Sequence, residues 1–473
     1  MNTVVIETLG CRLNQIESEA AGRFFLENQF KVEMIPLSSQ TCENSEVCMA
    51  ILNTCAVTQK AEQKARRIIR LMLKKFPNAT VLVTGCYAQL SKDEILKIDE
   101  RICVIGGQIK SRIEKIPSLL KEFISKENWN PNDFAKEVQS QIADKKVLKK
   151  DFPEEAFKLS TTSLLSHSRP SLKIQDGCNS NCSYCTIHFA RGHSVSIDVQ
   201  TAIDRVLELE TLGNSEVVLT TVNIAQYKGR WKDGFCNFPE LLELLIQKTK
   251  FINFRISSLY PEVVTDEFCR IISSPRVRPH FHISVQSGSD KILGLMNRSY
   301  NSQNVIDACN KLKLAKKNPF IACDIITGFP GETEEDFNQT MQLCKICDFS
   351  WVHAFPFSER PGTLAVKLKN KVPQSISTER AKKISAWAIQ QKINYINQYK
   401  GIELSAILET RKTPLVVAKN MFVYHLMTEN FIHCRLESDI NLELKKSVKI
   451  KIVRALDENI KKGGDIEAEA IFS

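Results

Sequence analysis

Three cysteines, Cys178, Cys182 and Cys185, stand with three and then two residues between them in the segment Gln175-Asp-Gly-Cys-Asn-Ser-Asn-Cys-Ser-Tyr-Cys185. Thiolates at this spacing can wrap one cuboidal [4Fe–4S] cluster, satisfying three irons and leaving the fourth open. A cluster held by four cysteines chiefly carries electrons, whereas an open iron can bind a substrate, by the logic that makes an open metal position catalytic. The competing readings are a zinc site, with His188 the nearest fourth ligand, and three buried cysteines. Zinc ligands usually come as two short couples, a pattern this segment lacks.

Three further cysteines lie far apart but in comparable surroundings. Cys11 sits in Thr8-Leu-Gly-Cys-Arg-Leu-Asn-Gln15, Cys55 in Leu52-Asn-Thr-Cys-Ala-Val-Thr58, and Cys86 in Thr84-Gly-Cys-Tyr-Ala-Gln89. Each follows a predicted strand and precedes a helix. In a parallel α/β sheet such points converge on one edge, where ligands bind, so the three can meet at one site. Taken singly, each also fits an ordinary buried cysteine at a strand end.

The elements that must position these residues follow from hydrophobic period. Strands are predicted at Thr3–Thr8, Val47–Asn53 and Thr80–Thr84, and helices at Asn14–Asn28 and Gln59–Phe76, which implies a parallel sheet covered by helices over residues 1–125. Residues 126–168 are polar, with a basic cluster at Lys145, Lys146, Lys149 and Lys150, and read as a linker with some local structure. Strands then recur at Leu172–Asp176, Glu216–Thr221, Asn253–Ser257, His280–Val285, Ile321–Thr327 and Trp351–Pro356, separated by helical patterns. Six βα units over 169–400 describe a partial barrel with its function at the C-terminal strand ends, closed by a helix over Ser377–Tyr399. Residues 401–473 change to short strands, a small all-β domain. The fold class is α/β overall.

Composition agrees. A chain of 473 residues, 43% hydrophobic and 25% charged, is globular and long enough for two to four domains. It has no apolar run that would span a bilayer, and Met1-Asn-Thr-Val-Val-Ile-Glu-Thr8 lacks the basic segment and apolar core of a signal peptide, so a cytoplasmic location is expected. Sixteen cysteines in a reducing compartment call for metal or chemistry rather than disulfides. Cys344-Lys-Ile-Cys347 lies in a predicted helix with no second pair at zinc spacing and reads as packing. The net charge of +10 is compatible with a nucleic-acid partner without requiring one.

The central spacing resembles the radical S-adenosylmethionine signature. With the three N-terminal motifs and the β C-terminus, nearly the whole chain is similar to the methylthiotransferase family. That resemblance implies an N-terminal α/β domain, a radical domain and a C-terminal RNA-contacting β domain of TRAM type. It implies that Cys178, Cys182 and Cys185 hold the cluster that cleaves S-adenosylmethionine, and that Cys11, Cys55 and Cys86 hold a second cluster able to carry sulfur. It places Tyr184 beside the adenine of the cofactor, and Gln286, Ser287 and Asp324, at two barrel strand ends, near its methionine or ribose. Turn chemistry between strand and helix is the alternative at the last three positions.

Within the family, Thr8–Ser18, Asn53-Thr-Cys-Ala-Val-Thr58 and His353-Ala-Phe-Pro-Phe-Ser-Glu-Arg-Pro-Gly-Thr363 most resemble the MtaB branch. That branch adds a methylthio group to C2 of N6-threonylcarbamoyladenosine (t6A) at position 37 of tRNA. The implied partners are tRNA, an external electron donor and a sulfur donor, and the scheme assigns no acid–base residue. Alternative readings are the same chemistry on isopentenyladenosine tRNA or a ribosomal protein, or a non-catalytic iron–sulfur RNA-binding protein. Three positions in two segments depart from the family pattern: Thr221 and Ala225 replace glycines, and Tyr260 replaces a common Glu. For RNA, Lys449 and Lys451 fall on one face of a predicted strand, and Lys60, Lys64, Arg66, Arg67, Arg70, Lys74 and Lys75 share one helix.

Overall fold

In a computed structural model, five N-terminal strands form one parallel sheet: β1 (Thr3–Thr8), β2 (Lys31–Met34), β3 (Val47–Thr54), β4 (Thr80–Gly85) and β5 (Ile102–Gly106), in the order β2-β1-β3-β4-β5. The structure describes residues 2–126, 129–144, 156–160, 169–409, 415–418, 421–439, 442 and 446–473. The basic cluster Lys145, Lys146, Lys149 and Lys150, and also Lys445, lie outside the described residues.

Every residue of β3 and β4 is buried, since helices cover both faces of the sheet. Alternate residues go to opposite sides. Val4 and Ile6 pack with Ala20, Ala21 and Phe25 of α1 (Arg12–Glu27), while Val5 lies in the layer of Ala65, Ile68 and Met72 of α2 (Gln59–Lys75). After α3 (Cys86–Leu90) and β5, helix α4 (Pro131–Val138) puts Phe134, Ala135 and Val138 into the α1 layer. The chain leaves β1 for β2 on one side and returns to β3 on the other. This reversal opens a crevice at the C-terminal ends of β1 and β3.

The barrel strands are β6 (Ser171–Lys173), β7 (Glu216–Thr220), β8 (Asn253–Ile256), β9 (His280–Gln286), β10 (Phe320–Thr327) and β11 (Trp351–Pro356). They pair in parallel and in chain order, the two halves being joined by bridges Phe254–Val277 and Leu259–Ile283. All six strands expected from the sequence are present. The first is shorter than expected: it stops at Lys173, and Gln175–Asp176 pairs antiparallel with Val195–Ser196. The chain between them forms the cysteine loop and α5 (Ile187–Arg191). Cys344 and Cys347, on α6 (Glu334–Cys347), are buried with Cys309 and Cys323 in the apolar core, as packing requires. Cys42 is exposed.

Helix α7 (Gln374–Asn397) packs on β11 and leads into six strands: β12 (Glu403–Leu408), β13 (Leu415–Ala418), β14 (Met421–Thr428), β15 (His433–Ser438), β16 (Ser447–Ala455) and β17 (Ala468–Phe472). Their order is β12-β16-β17-β15-β14-β13, and an additional β12–β14 pairing curls the sheet. This domain stops the N-terminal end of the barrel. Phe431 stacks on His280 at 4.0 Å, the backbone oxygen of Thr428 accepts from Arg255, and Glu216 is held by Arg255 and Arg278 at 2.8 and 2.7 Å. The barrel interior is thereby left to its C-terminal end. No helix among the described residues is long and apolar enough to cross a membrane.

Candidate functional site

The cysteine loop begins with a forced turn. Gly177 has φ +68°, and a Cβ there would lie 2.0 Å from the backbone oxygen of His193, so only glycine fits. The loop then directs N–H groups at its sulfurs. Ser180 N and Ile187 N lie 3.4 Å from Cys178 Sγ and Cys185 Sγ, Arg298 Nη1 lies 3.6 Å from Cys182 Sγ, and Asn223 Nδ2 lies 3.8 Å from Cys178 Sγ. Such donors favour thiolate sulfur and tune a cluster bonded to it. Burial, with the neighbouring Cys182 and Cys178 adding to it, pushes the Cys185 thiol up to about 12, and burial raises Cys182 as well. Bonding to iron would displace these protons.

Arg298, which the sequence did not single out, organises the wall beside this loop. Its Nη2 donates to Tyr184 Oη at 2.7 Å and its Nη1 to Tyr260 Oη at 3.3 Å, and the guanidinium stands 5.4–5.7 Å from the rings of Tyr184, Tyr260 and Tyr300. Tyr260, a departure from the family pattern, is therefore a partner of Arg298. Tyr260→Phe keeps the ring and removes the acceptor; denaturant unfolding should show a loss of about 1 kcal/mol.

The residues present suit a polar ligand beside the loop. Thr221 Oγ1 and Ser257 Oγ, just past the ends of β7 and β8, are buried with no hydrogen-bond partner among the described residues, as are Arg298 Nε and His188 Nδ1. Orphaned buried polar groups call for a partner, and the amino, carboxylate and ribose groups of S-adenosylmethionine would supply them. Gln286 is buried at the irregular end of β9 in the left-handed region, φ 72°, strain of a kind that gathers at ligand sites. Ser287 is engaged in the turn: its hydroxyl lies 3.3 Å from Thr340 Oγ1 and accepts from Ser289 N. Asp324 pairs with His282 Nε2 at 3.0 Å.

The distant trio meets at the crevice of the N-terminal sheet. Cys11, Cys55 and Cys86 follow β1, β3 and β4, three adjacent strands. Gly10, at φ +113°, lets the first loop close on the second, since a Cβ there would meet Cys55 Cβ at 2.7 Å. Cys11 is exposed, Cys55 half-buried and Cys86 buried, so the group opens to one side. Burial pushes Cys55 up to about 11, with Cys86 and Cys11 adding to the rise. Among the described residues no group of three His, Cys, Asp or Glu side chains is arranged to hold a single metal ion.

A buried charge network joins the two cysteine groups. α5, which follows Cys185, packs on α3, which starts at Cys86, with Ala190 in the layer of Cys86 and Tyr87. Arg191 of α5 reaches Asp176 at 2.9 Å, Glu17 at 3.2 Å and Asn14 Oδ1 at 2.6 Å, and Asn14 Oδ1 accepts from Cys11 Sγ. Glu17 also binds Lys110 at 2.5 Å and Lys173 at 3.1 Å. Burial pushes Glu17 up, but Lys110, Arg191 and Lys173 outweigh it and hold the carboxyl at about 2. Among the described residues, Lys110, Lys173 and Arg191 thus pair with Glu17 and Asp176, three cations to two carboxylates. The surplus positive charge lies within electrostatic reach of Cys11 and Cys86, which suits an anionic iron–thiolate cluster. Nothing in the spacing of Arg191, Glu17 or Asn223 marked them in the sequence.

The chain matches the Radical SAM superfamily over residues 172–396 and the family described as Uncharacterized protein family UPF0004 over residues 3–107. It is 40% identical to the threonylcarbamoyladenosine tRNA methylthiotransferase MtaB of Treponema pallidum, covering 91% of this chain and 94% of that one. It is 33% identical to the MtaB of Bacillus subtilis, covering 96% and 94%. The tRNA-2-methylthio-N(6)-dimethylallyladenosine synthase of Ehrlichia chaffeensis is 26% identical over 97% of this chain and 99% of its own. Among solved structures, the apo form of the cobalamin-dependent S-adenosylmethionine radical enzyme OxsB superposes with a TM-score of 0.50 at 12% identity, covering 82% of this chain and 57% of that one, a likeness of fold alone. With the radical domain, the N-terminal domain and a full-length relative at this identity, the chain belongs to the MtaB family of radical S-adenosylmethionine methylthiotransferases.

Proposed function

We propose that this chain is an enzyme that converts t6A at position 37 of tRNA to its 2-methylthio derivative. The observation that carries the proposal is the packing of α5 on α3, which brings two three-cysteine groups to one seam. Cys178, Cys182 and Cys185 would hold one [4Fe–4S] cluster, and Cys11, Cys55 and Cys86 the other. When bound, these groups and S-adenosylmethionine supply one-electron sulfonium cleavage, hydrogen abstraction at the adenine carbon, and sulfur and methyl delivery. The chain's own residues bind and orient. Arg298 steadies Tyr184 beside Cys182, and Gln286, Thr221 and Ser257 offer polar contacts to the cofactor. Ser287 supports that wall from behind. Arg191 and Asn14 fix Cys11 against the radical domain. An electron donor and a sulfur donor are external partners, and the working units are 1–125, 126–168, 169–400 and 401–473.

Two surfaces fit the RNA. Lys60, Lys64, Arg67, Arg70 and Lys74 are exposed on α2, whose other side packs in the core. Lys449 is exposed on β16, where it also pairs with Glu403 at 3.2 Å, and Lys451 is half-exposed. Replacing Lys449 and Lys451 by Ala should weaken tRNA binding and flatten the slope of log affinity against log salt by about 2, measured by salt titration.

Nucleoside mass profiles of tRNA from cells with and without the gene test the assignment. Methylthio-t6A should disappear with the gene, and unchanged methylthio-t6A would refute it.

A further inference from the structure

Above the plugged end of the barrel lies a polar layer whose two histidines the cluster chemistry does not use. His282 on β9, Asp324 on β10 and His353 on β11 share the inner face, Asp324 being in register with His353. His282 Nε2 is 3.0 Å from Asp324 Oδ2, and the rings of His282 and His353 stack at 5.5 Å and 26°. His353 lies nearly parallel to Phe355, at 6.3 Å and 10°. β11 is the last strand of the sheet, so this row of rings stands at its open edge, with His353 exposed and Phe355 46% exposed. The neighbour below, Phe320, is buried against Tyr395 and Phe431. The layer is therefore closed on the side of the C-terminal domain. Arg298, which reaches Cys182 Sγ, also acts on the Asp324 carboxylate and helps His282 hold it below its usual range against the effect of burial.

The hydrogen bonds fix what His353 can offer. Trp351 Nε1 donates to His353 Nδ1 at 3.2 Å, so the neutral ring carries its proton on Nε2. Desolvation, with His282 and Lys392 nearby, pushes its pKa down to about 4, so the ring is neutral at physiological pH. An exposed flat ring on an aromatic neighbour is a stacking platform for a base. A neutral N–H beside it is a donor for a carbonyl or carboxylate. Methylthiolation requires the target adenine to leave its stack and enter a pocket, and the N6 group of t6A carries both a ureido carbonyl and a carboxylate.

We infer that His353 reads the N6 substituent of the target adenosine: with Phe355 it stacks on the flipped base, and its Nε2–H donates to an oxygen of the threonylcarbamoyl group. His282, held by Asp324, keeps the His353 ring in place. This inference rests on the function proposed above and adds the residue that separates t6A from a plain adenosine.

The test is the binding preference of the cluster-loaded protein for a tRNA anticodon stem–loop carrying t6A over the same stem–loop carrying unmodified adenosine. Wild type should prefer t6A by about tenfold, the worth of one well-made hydrogen bond. His353→Phe keeps the ring and removes the donor; the preference should fall to within about twofold. His353→Gln, which restores an N–H donor, should recover part of it. Iron content equal to wild type reports that both variants are folded and loaded. A His353→Phe protein with the full preference overturns the inference, as does a wild type with none. A wild type that prefers the t6A stem–loop yet never forms methylthio-t6A overturns the proposed function instead.

Discussion

Cys86→Ala should leave about four irons per chain where the reconstituted wild type holds about eight, and should form deoxyadenosine but no methylthio product. The expectation follows from the separation of the two cysteine groups along the chain and their meeting at one seam. Removing the Cys86 thiol from the crevice of the N-terminal sheet leaves the loop at Cys178, Cys182 and Cys185 with its N–H donors from Ser180, Ile187 and Arg298. The converse, Cys182→Ala, should lose deoxyadenosine as well as product. Iron and sulfide analysis with quantification of deoxyadenosine and nucleosides separates the two. If Cys86→Ala kept eight irons, or Cys182→Ala still released deoxyadenosine, the division of labour would be wrong.

Glu17→Gln should be the most damaging single change outside the cysteines. Its carboxylate binds Lys110, Lys173 and Arg191 within 3.2 Å, and its side chain is 1% exposed. Removing that charge leaves three buried cations with Asp176 as their one carboxylate partner among the described residues, at a cost of about 3–5 kcal/mol. Because Glu17 and Lys110 belong to the first domain and Lys173, Asp176 and Arg191 to the barrel, the loss should appear as early separation of the domains on heating. The pH dependence has a definite sign. The Glu17 carboxyl is held below its ordinary value of 4.5, so its contribution is complete above about 4.5 and is lost as pH falls toward 2. Wild-type unfolding should show that acid limb, and Glu17→Gln should flatten it. Calorimetry at a series of pH values checks both, and a variant with wild-type stability at neutral pH would show that the network does not tie the domains.

Much of this was legible in the sequence, for identifiable reasons. Strands buried on both sides leave continuous apolar runs such as Val47–Asn53, and the six barrel strands alternate with helices at readable spacing. The six cysteines could be grouped because each N-terminal one follows a strand, and parallel topology sends those ends to one edge. The stabilising partners were not legible. Arg298 lies 113 residues beyond Cys185, and only the closed barrel brings it to Cys182. Glu17 reads as one more polar residue on an amphipathic helix, and its partners come from Lys110 and the barrel. The shortened β6 was missed because the apolar pattern continues through Ile174, while the turn toward Val195 is set by pairing distant in sequence. His282, Asp324 and His353 come from three strands, and their stacking depends on register, which the sequence does not state.

In the function proposed above, two cysteine groups at one seam perform radical sulfur insertion on t6A. Anaerobic incubation of the iron- and sulfide-reconstituted chain with S-adenosylmethionine, a low-potential reductant and t6A-containing tRNA tests it most directly, followed by mass analysis of nucleosides and deoxyadenosine. Methylthio-t6A should form together with deoxyadenosine, both dependent on the reductant. Deoxyadenosine no higher than in a protein-free control, or deoxyadenosine with t6A left unchanged, would contradict it.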